Sequence, residues 1–125
     1  MSAVLDAGAL IAIDRGDRNV HALLRVLQRD GVPVRTSGAV VGQVWRGGAR
    51  QARLARLLQG VESASLTGDV GKRIGELLAV SRSSDIVDAH VALLVSSGDV
   101  VLTSDPGDIK ALLRGRKTKA SVVNV

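Results

Sequence analysis

Ala3-Val4-Leu5-Asp6-Ala7-Gly8-Ala9-Leu10-Ile11-Ala12-Ile13 reads as a short buried strand that stops at a carboxylate and runs straight into an apolar helix. The strand has no polar alternation, as expected where both faces of a parallel sheet are covered. The same grammar recurs downstream. Val100-Val101-Leu102-Thr103-Ser104 is a second apolar run that ends on acid, at Asp105 and Asp108. Between these runs, Asp85-Ile86-Val87-Asp88-Ala89 places acid at the start of an amphipathic segment.

Working outward, strands are predicted at residues 2–5, 32–36, 61–66, 100–103 and 120–125. Helices are predicted over residues 7–13, 20–30, 38–46, 49–59, 69–82, 85–95 and 106–113. Asn19, Ser37 and Thr67 are the expected N-caps, because a short polar side chain can satisfy the free N–H groups of a first turn. Residues 114–119 read as a basic loop. There are no repeats, linkers or low-complexity stretches, so residues 1–125 form one domain. Alternation of strand and helix predicts an α/β fold of three layers, a mostly parallel sheet of about five strands flanked by helices.

Composition removes several kinds of chemistry. The chain has no Cys, which excludes disulfides and thiolate metal sites. It has two histidines, His21 and His90, too few for the usual zinc sites built on several His. Trp45 is the one aromatic residue, so the core is expected from Val, Leu, Ile and Ala. The formal net charge is +5, and a small basic domain suits a polyanionic partner, nucleic acid first. No apolar run approaches the roughly 20 residues of a membrane span. The start resembles no signal peptide, so a cytoplasmic protein is expected.

Asp6, Asp88, Asp105 and Asp108 each stand where an apolar strand ends or an amphipathic helix begins. A parallel sheet gathers such positions at one edge, where these folds bind ligands. Carboxylates crowded together raise one another's pKa unless a cation joins them. Mg²⁺ or Mn²⁺, which take oxygen ligands, are the natural cations. Asp85 and Asp88 share a helix face at i, i+3, and Asp85 has the competing role of capping that helix. Taken one at a time, Asp6 and Asp105 also read as ordinary turn and cap residues.

These motifs resemble those of PIN-domain ribonucleases, in particular the VapC-type toxins of bacterial toxin–antitoxin pairs. The carriers are Val4-Leu5-Asp6-Ala7-Gly8-Ala9-Leu10-Ile11-Ala12, Asp88-Ala89-His90-Val91-Ala92, and Val101-Leu102-Thr103-Ser104-Asp105-Pro106 with Asp108-Ile109, in the family's order across essentially the whole chain. The resemblance implies a Mg²⁺- or Mn²⁺-dependent endoribonuclease held inactive by a cognate antitoxin. It places catalytic, metal-binding carboxylates at Asp6, Asp88 and Asp105, with Asp85 and Asp108 as further candidates. The chain departs from the pattern at Gln43, where such proteins usually carry a glutamate. Glutamine keeps an acceptor oxygen but loses the charge, so a non-catalytic or weakly active partner- or RNA-binding module is the alternative.

Contacts to RNA are expected from Arg46, Arg50 and Arg53, with Arg56 on the same helix and a second basic cluster at Arg114, Arg116, Lys117 and Lys119. Thr103 and Ser104 could donate to a metal-bound water or a phosphate. Phosphate contacts supply salt-dependent affinity rather than sequence choice. The apolar stretches Ala9-Leu10-Ile11-Ala12-Ile13 and Val40-Val41, together with the resemblance, predict a homodimer as well as an antitoxin partner. A receiver-type phosphoacceptor would show a second acid beside Asp6, where Ala7 stands. A haloacid-dehalogenase-like phosphatase would show one at Gly8.

Overall fold

The computed structural model describes all 125 residues. Its strands are β1 (Ala3–Leu5), β2 (Val34–Ser37), β3 (Val61–Ala64), β4 (Val100–Thr103) and β5 (Ser121–Asn124). Its helices are α1 (Ala7–Asp14), α2 (Arg18–Arg29), α3 (Gly38–Val44), α4 (Ala52–Gln59), α5 (Gly68–Ser81), α6 (Ile86–Leu94) and α7 (Pro106–Arg116), with a 3₁₀ turn at Ala49–Gln51 ahead of α4. The strands lie in the order β3-β2-β1-β4-β5. Every pairing is parallel, with Leu5 beside both Thr36 and Leu102. One group of helices, α1 with α2, α3 and α4, packs together, and α5, α6 and α7 form another; both touch the sheet. This is the expected layered α/β architecture, all-parallel rather than mostly so.

The sequence dictates this packing through its β-branched and Leu-rich strands. Ala3, Val4, Leu5, Val101 and Leu102 have no solvent exposure, and Leu10, Ile13, Ile109 and Leu112 close over them from the helices. Covered on both sides, the central strands need no polar alternation. From β1 the chain winds one way to β2 and β3; β4 and β5 lie on the other side of β1. The gap between the ends of β1 and β4 is therefore the switch point, the place where open parallel sheets bind their ligands.

The caps differ from expectation at one place. Asp17, not Asn19, caps α2, its Oδ1 accepting from Asn19 N and Val20 N, so the helix starts two residues earlier in the turn. Ser37 and Thr67 cap α3 and α5 as expected. The basic loop is also corrected. Arg114 and Arg116 belong to α7, which ends at Lys117 in a left-handed conformation. Arg116 reaches back to the last turn of α6, donating to the carbonyls of Ala92, at 2.6 Å, and Val95. A guanidinium can satisfy the free C=O groups of a helix end that would otherwise be buried. Arg116 is thus a structural clasp, whereas Arg114 stays exposed.

Asp99 is a buried aspartate at the opposite edge of the sheet from the strand ends. Its carboxylate accepts from Ser2 N at 2.7 Å and Ser96 N at 2.8 Å, fastening the entry of β1 to the turn before β4. Asp99→Ala leaves these N–H groups without a partner, so a loss of roughly 1–3 kcal/mol is expected in guanidinium titration.

Candidate metal centre

Asp6 follows β1 and caps α1, with Oδ1 accepting from Ala9 N at 3.1 Å. Its Oδ2 accepts from the Thr103 hydroxyl across the switch point. Thr103 Oγ1 in turn accepts from Asp105 N at 2.8 Å. One buried hydroxyl therefore ties the carboxylate after β1 to the backbone of the aspartate after β4. Gly8 permits the close approach: a Cβ there would stand 2.1 Å from Ser104 Oγ and 2.9 Å from Ser104 N.

Asp88, Asp105 and Asp108 form the acidic cluster. Each offers an oxygen, and these oxygens lie within 4.8 Å of one another. Asp88 is carried by the first turn of α6, which Asp85 caps through an Asp88 N–H bond of 2.9 Å. Asp85 is thus spent on the helix, the competing role its position suggested. Asp105 precedes Pro106 at the start of α7 but makes no side-chain capping bond, which leaves its carboxylate free for the cluster. Asp108 lies in the first turn of the same helix, with a carboxylate oxygen within 4.8 Å of one on Asp105.

The electrostatics follow from this crowding. Burial pushes Asp88 up to about 6, and the charges of Asp85, Asp6, Asp105 and Asp108 add to it. Asp108 is raised by its hydrogen bond to Asp105 and by that residue's charge. Asp6 is raised by burial, against the hydrogen bonds from Thr103, Ala9, Gly8 and Ser104 that pull it down. Asp6 is outside the close trio, with both oxygens engaged, yet near enough for its charge to act on Asp88. The donor set fits a hard divalent cation: three carboxylates and no sulfur.

Other sequence candidates fall as follows. Thr103 is fully buried beneath the carboxylates and is not open to a phosphate; Ser104 is exposed beside it. Gln43 is exposed on α3 and makes no hydrogen bond. His90 is buried, 1% exposed, with Nδ1 2.6 Å from Ser37 Oγ. Ser37 Oγ already accepts from Ala39 N, so its proton is available to a neutral His90. Burial holds that imidazole below its ordinary pKa. Arg46, Arg50 and Arg53 are exposed, the first beside Trp45 and the others on the 3₁₀ turn and α4. Missed by sequence reading was Gln51, buried, which accepts from Arg46 N and Gly47 N and donates to Val44 O. A glutamine in a polar stretch gives no sign of that role.

No protein-family model matches the sequence, and no curated protein matches it. Among solved structures, the chain is similar to one from VapBC2 of Rickettsia felis bound to a DNA fragment from its promoter. That likeness has a TM-score of 0.68 and 15% identity, over 99% of this chain and 100% of the other. It is also similar to a chain of FitAB bound to an IR36 DNA fragment, with a TM-score of 0.63 and 16% identity over 98% and 94% of the two chains. The likeness is one of fold. The chain has a PIN-like fold over its whole length, as its motifs implied.

The raised Asp88 fixes a sign for stability. An unfolded aspartate loses its proton near the ordinary 3.8, while folded Asp88 keeps its own to about 6. Between these values the folded state binds more protons, so metal-free stability falls as pH rises through this window. Asp88→Asn should flatten that fall in thermal melts taken in EDTA across the window. An unchanged pH profile would show that Asp88 ionises freely.

Proposed function

We propose that this protein is a Mg²⁺- or Mn²⁺-dependent endoribonuclease acting as the toxin of a toxin–antitoxin pair. The observation that carries the reading is the convergence of Asp88, Asp105 and Asp108 at the switch point, beside a buried Asp6. The fold shared with chains of VapBC2 and FitAB supports it. On this reading the partners are a cognate antitoxin, RNA and a second copy of the chain, and the compartment is the cytoplasm. No helix is long and apolar enough to cross a membrane.

The three clustered carboxylates would hold the cation, with Asp6 acting from behind through its charge. A divalent ion held there would polarise water and neutralise charge at the scissile phosphate. Asp88, which without metal keeps its proton to about 6, must lose it to serve as an anionic ligand, so proton and cation compete for this residue. Thr103 keeps Asp6 and the Asp105 backbone in register, so the carboxylates do not have to be assembled when substrate arrives. His90 is committed to Ser37 and takes no proton from the reaction.

The test is incubation of total RNA with the purified protein, with Mg²⁺, with Mn²⁺ and in EDTA, followed by mapping of new ends. Metal-dependent ends are expected from the wild type and not from Asp88→Asn. Equal cleavage by the two proteins would end the nuclease reading. Expression alone should arrest growth, and co-expression with the antitoxin should restore it.

A second reading rests on Gln43. A neutral, exposed side chain with no hydrogen bond stands where a carboxylate was expected, which suits a weakly active module that binds RNA or a partner. Gln43→Glu adds one charge with little change of shape. It should tighten Mn²⁺ binding in isothermal titration and lower metal-free stability, which metal then restores. Identical metal affinity would place residue 43 outside the site.

A further inference from the structure

A concavity lies away from the carboxylates, between α2 and α4. It encloses about 680 Å³. Along α2 it is lined by Arg18, His21, Arg25 and Gln28, and along α4 by Arg53 and Arg56. No lining residue is acidic. The ion pairs of the chain are Arg29 with Asp30 and Arg35 with Glu62, so none of the four groove arginines has a carboxylate partner. His21 Nε2 is buried there with no hydrogen-bonding partner. Gly16, at φ +77°, leaves room for the Arg53 guanidinium, whose Cζ would be 3.1 Å from a Cβ at that position.

Four unpaired guanidiniums in one groove repel one another, and an anion relieves that repulsion. The arrangement favours a strand of phosphates over a single anion. Arg18 and Arg25 stand two turns apart on α2, roughly 10 Å along its axis, while Arg53 and Arg56 are about 4.5 Å apart along α4. A single phosphate could not touch all four. Of its apolar lining, Ile13 and Leu24 are almost wholly buried, leaving Ala22 and half-buried Leu57 accessible among the arginines. A mainly apolar pocket lies on the other side of α4, where it is formed by Val41, Trp45, Ala55 and Leu58.

We propose that the α2–α4 groove, through Arg18, Arg25, Arg53 and Arg56, binds the phosphodiester backbone of RNA at a distance from the carboxylate cluster. Gly60, which lines the groove, immediately precedes β3 and so lies at the strand-start edge, opposite the acids. RNA long enough to reach both edges would be held at two points, by its cut site and by a remote stretch of backbone. The groove is thus a second binding site for the substrate of the proposed nuclease, and it rests on RNA being that substrate. Sequence reading gathered Arg53 and Arg56 but not Arg18 and Arg25, which only the packing of α2 against α4 brings to the same groove.

Binding and cutting are read separately. A fluorescein-labelled RNA stem-loop is titrated in EDTA, where no cleavage occurs, at several salt concentrations. Arg18→Ala/Arg25→Ala and Arg53→Ala/Arg56→Ala should each weaken binding at least tenfold. Each should lower the slope of log affinity against log salt by about 1.4 to 1.8, the loss of two phosphate contacts. The matching double Lys variants keep the charge and should stay near the wild-type slope, which separates lost contacts from lost folding. Unlabelled RNA should displace the probe from the wild type, and polyglutamate at equal charge should not. An unchanged slope in the Ala variants would overturn the proposal. So would equal displacement by polyglutamate, which would make the groove a seat for acidic polypeptide. If RNA binds with the expected slopes but is never cut with Mg²⁺ or Mn²⁺, the nuclease reading fails and the groove stands.

Discussion

The site depends on the hydroxyl of Thr103. It donates to buried Asp6 and accepts from the backbone of Asp105, joining the two chain segments that leave the sheet at its switch point. Burying a carboxylate is costly unless its oxygens are satisfied, and Asp6 has both satisfied within a few residues of the strand ends. That local arrangement lets β1 and β4 lie side by side without an unpaired charge between them. It also fixes where α1 and α7 begin, and so where Asp105 and Asp108 project. Gly8 belongs to the same constraint, since no side chain fits between the start of α1 and Ser104.

The acids sort into different tasks despite their similar placement in sequence. Asp17 and Asp85 spend their oxygens on helix N-termini, and Asp99 fastens the far edge of the sheet. Asp88, Asp105 and Asp108 are left to face one another. The arginines sort likewise. Arg116 clasps the end of α6 and Arg35 pairs with Glu62, while those of the α2–α4 groove are unpaired. What remains after structural demands are met is a cluster of negative charge at the strand ends and a cluster of positive charge beside the strand starts.

Much of this was legible in the residues. Uninterrupted apolar runs such as Ala3-Val4-Leu5 and Val100-Val101-Leu102 could only be covered strands, and their parallel pairing followed from the helices between them. The acids at their ends marked the functional edge. Other features were not legible because they are set by contacts between segments distant in sequence. The Thr103 bridge spans β1 and β4, so a strand-end hydroxyl looked open to ligand when it is sealed below the acids. Arg116 followed the last apolar residue of its helix and looked like loop, because its partners lie on α6. Asp17 and Asn19 are both good caps, and local sequence does not choose between them. Asp108 looked secondary beside Asp105, but a helix begun by Pro106 turns it toward the same point.

The sparse use of aromatic residues has an optical consequence. Trp45 is the only strong near-ultraviolet chromophore in the chain, and it stands 40% exposed at the rim of the apolar pocket on α3 and α4. It is absent from both the carboxylate cluster and the arginine groove. Intrinsic fluorescence of the folded protein is therefore a local gauge of one face. A partner that covers the pocket would shield the indole from water and shift its emission to the blue, whereas an ion at the acidic edge has no direct contact through which to change the signal.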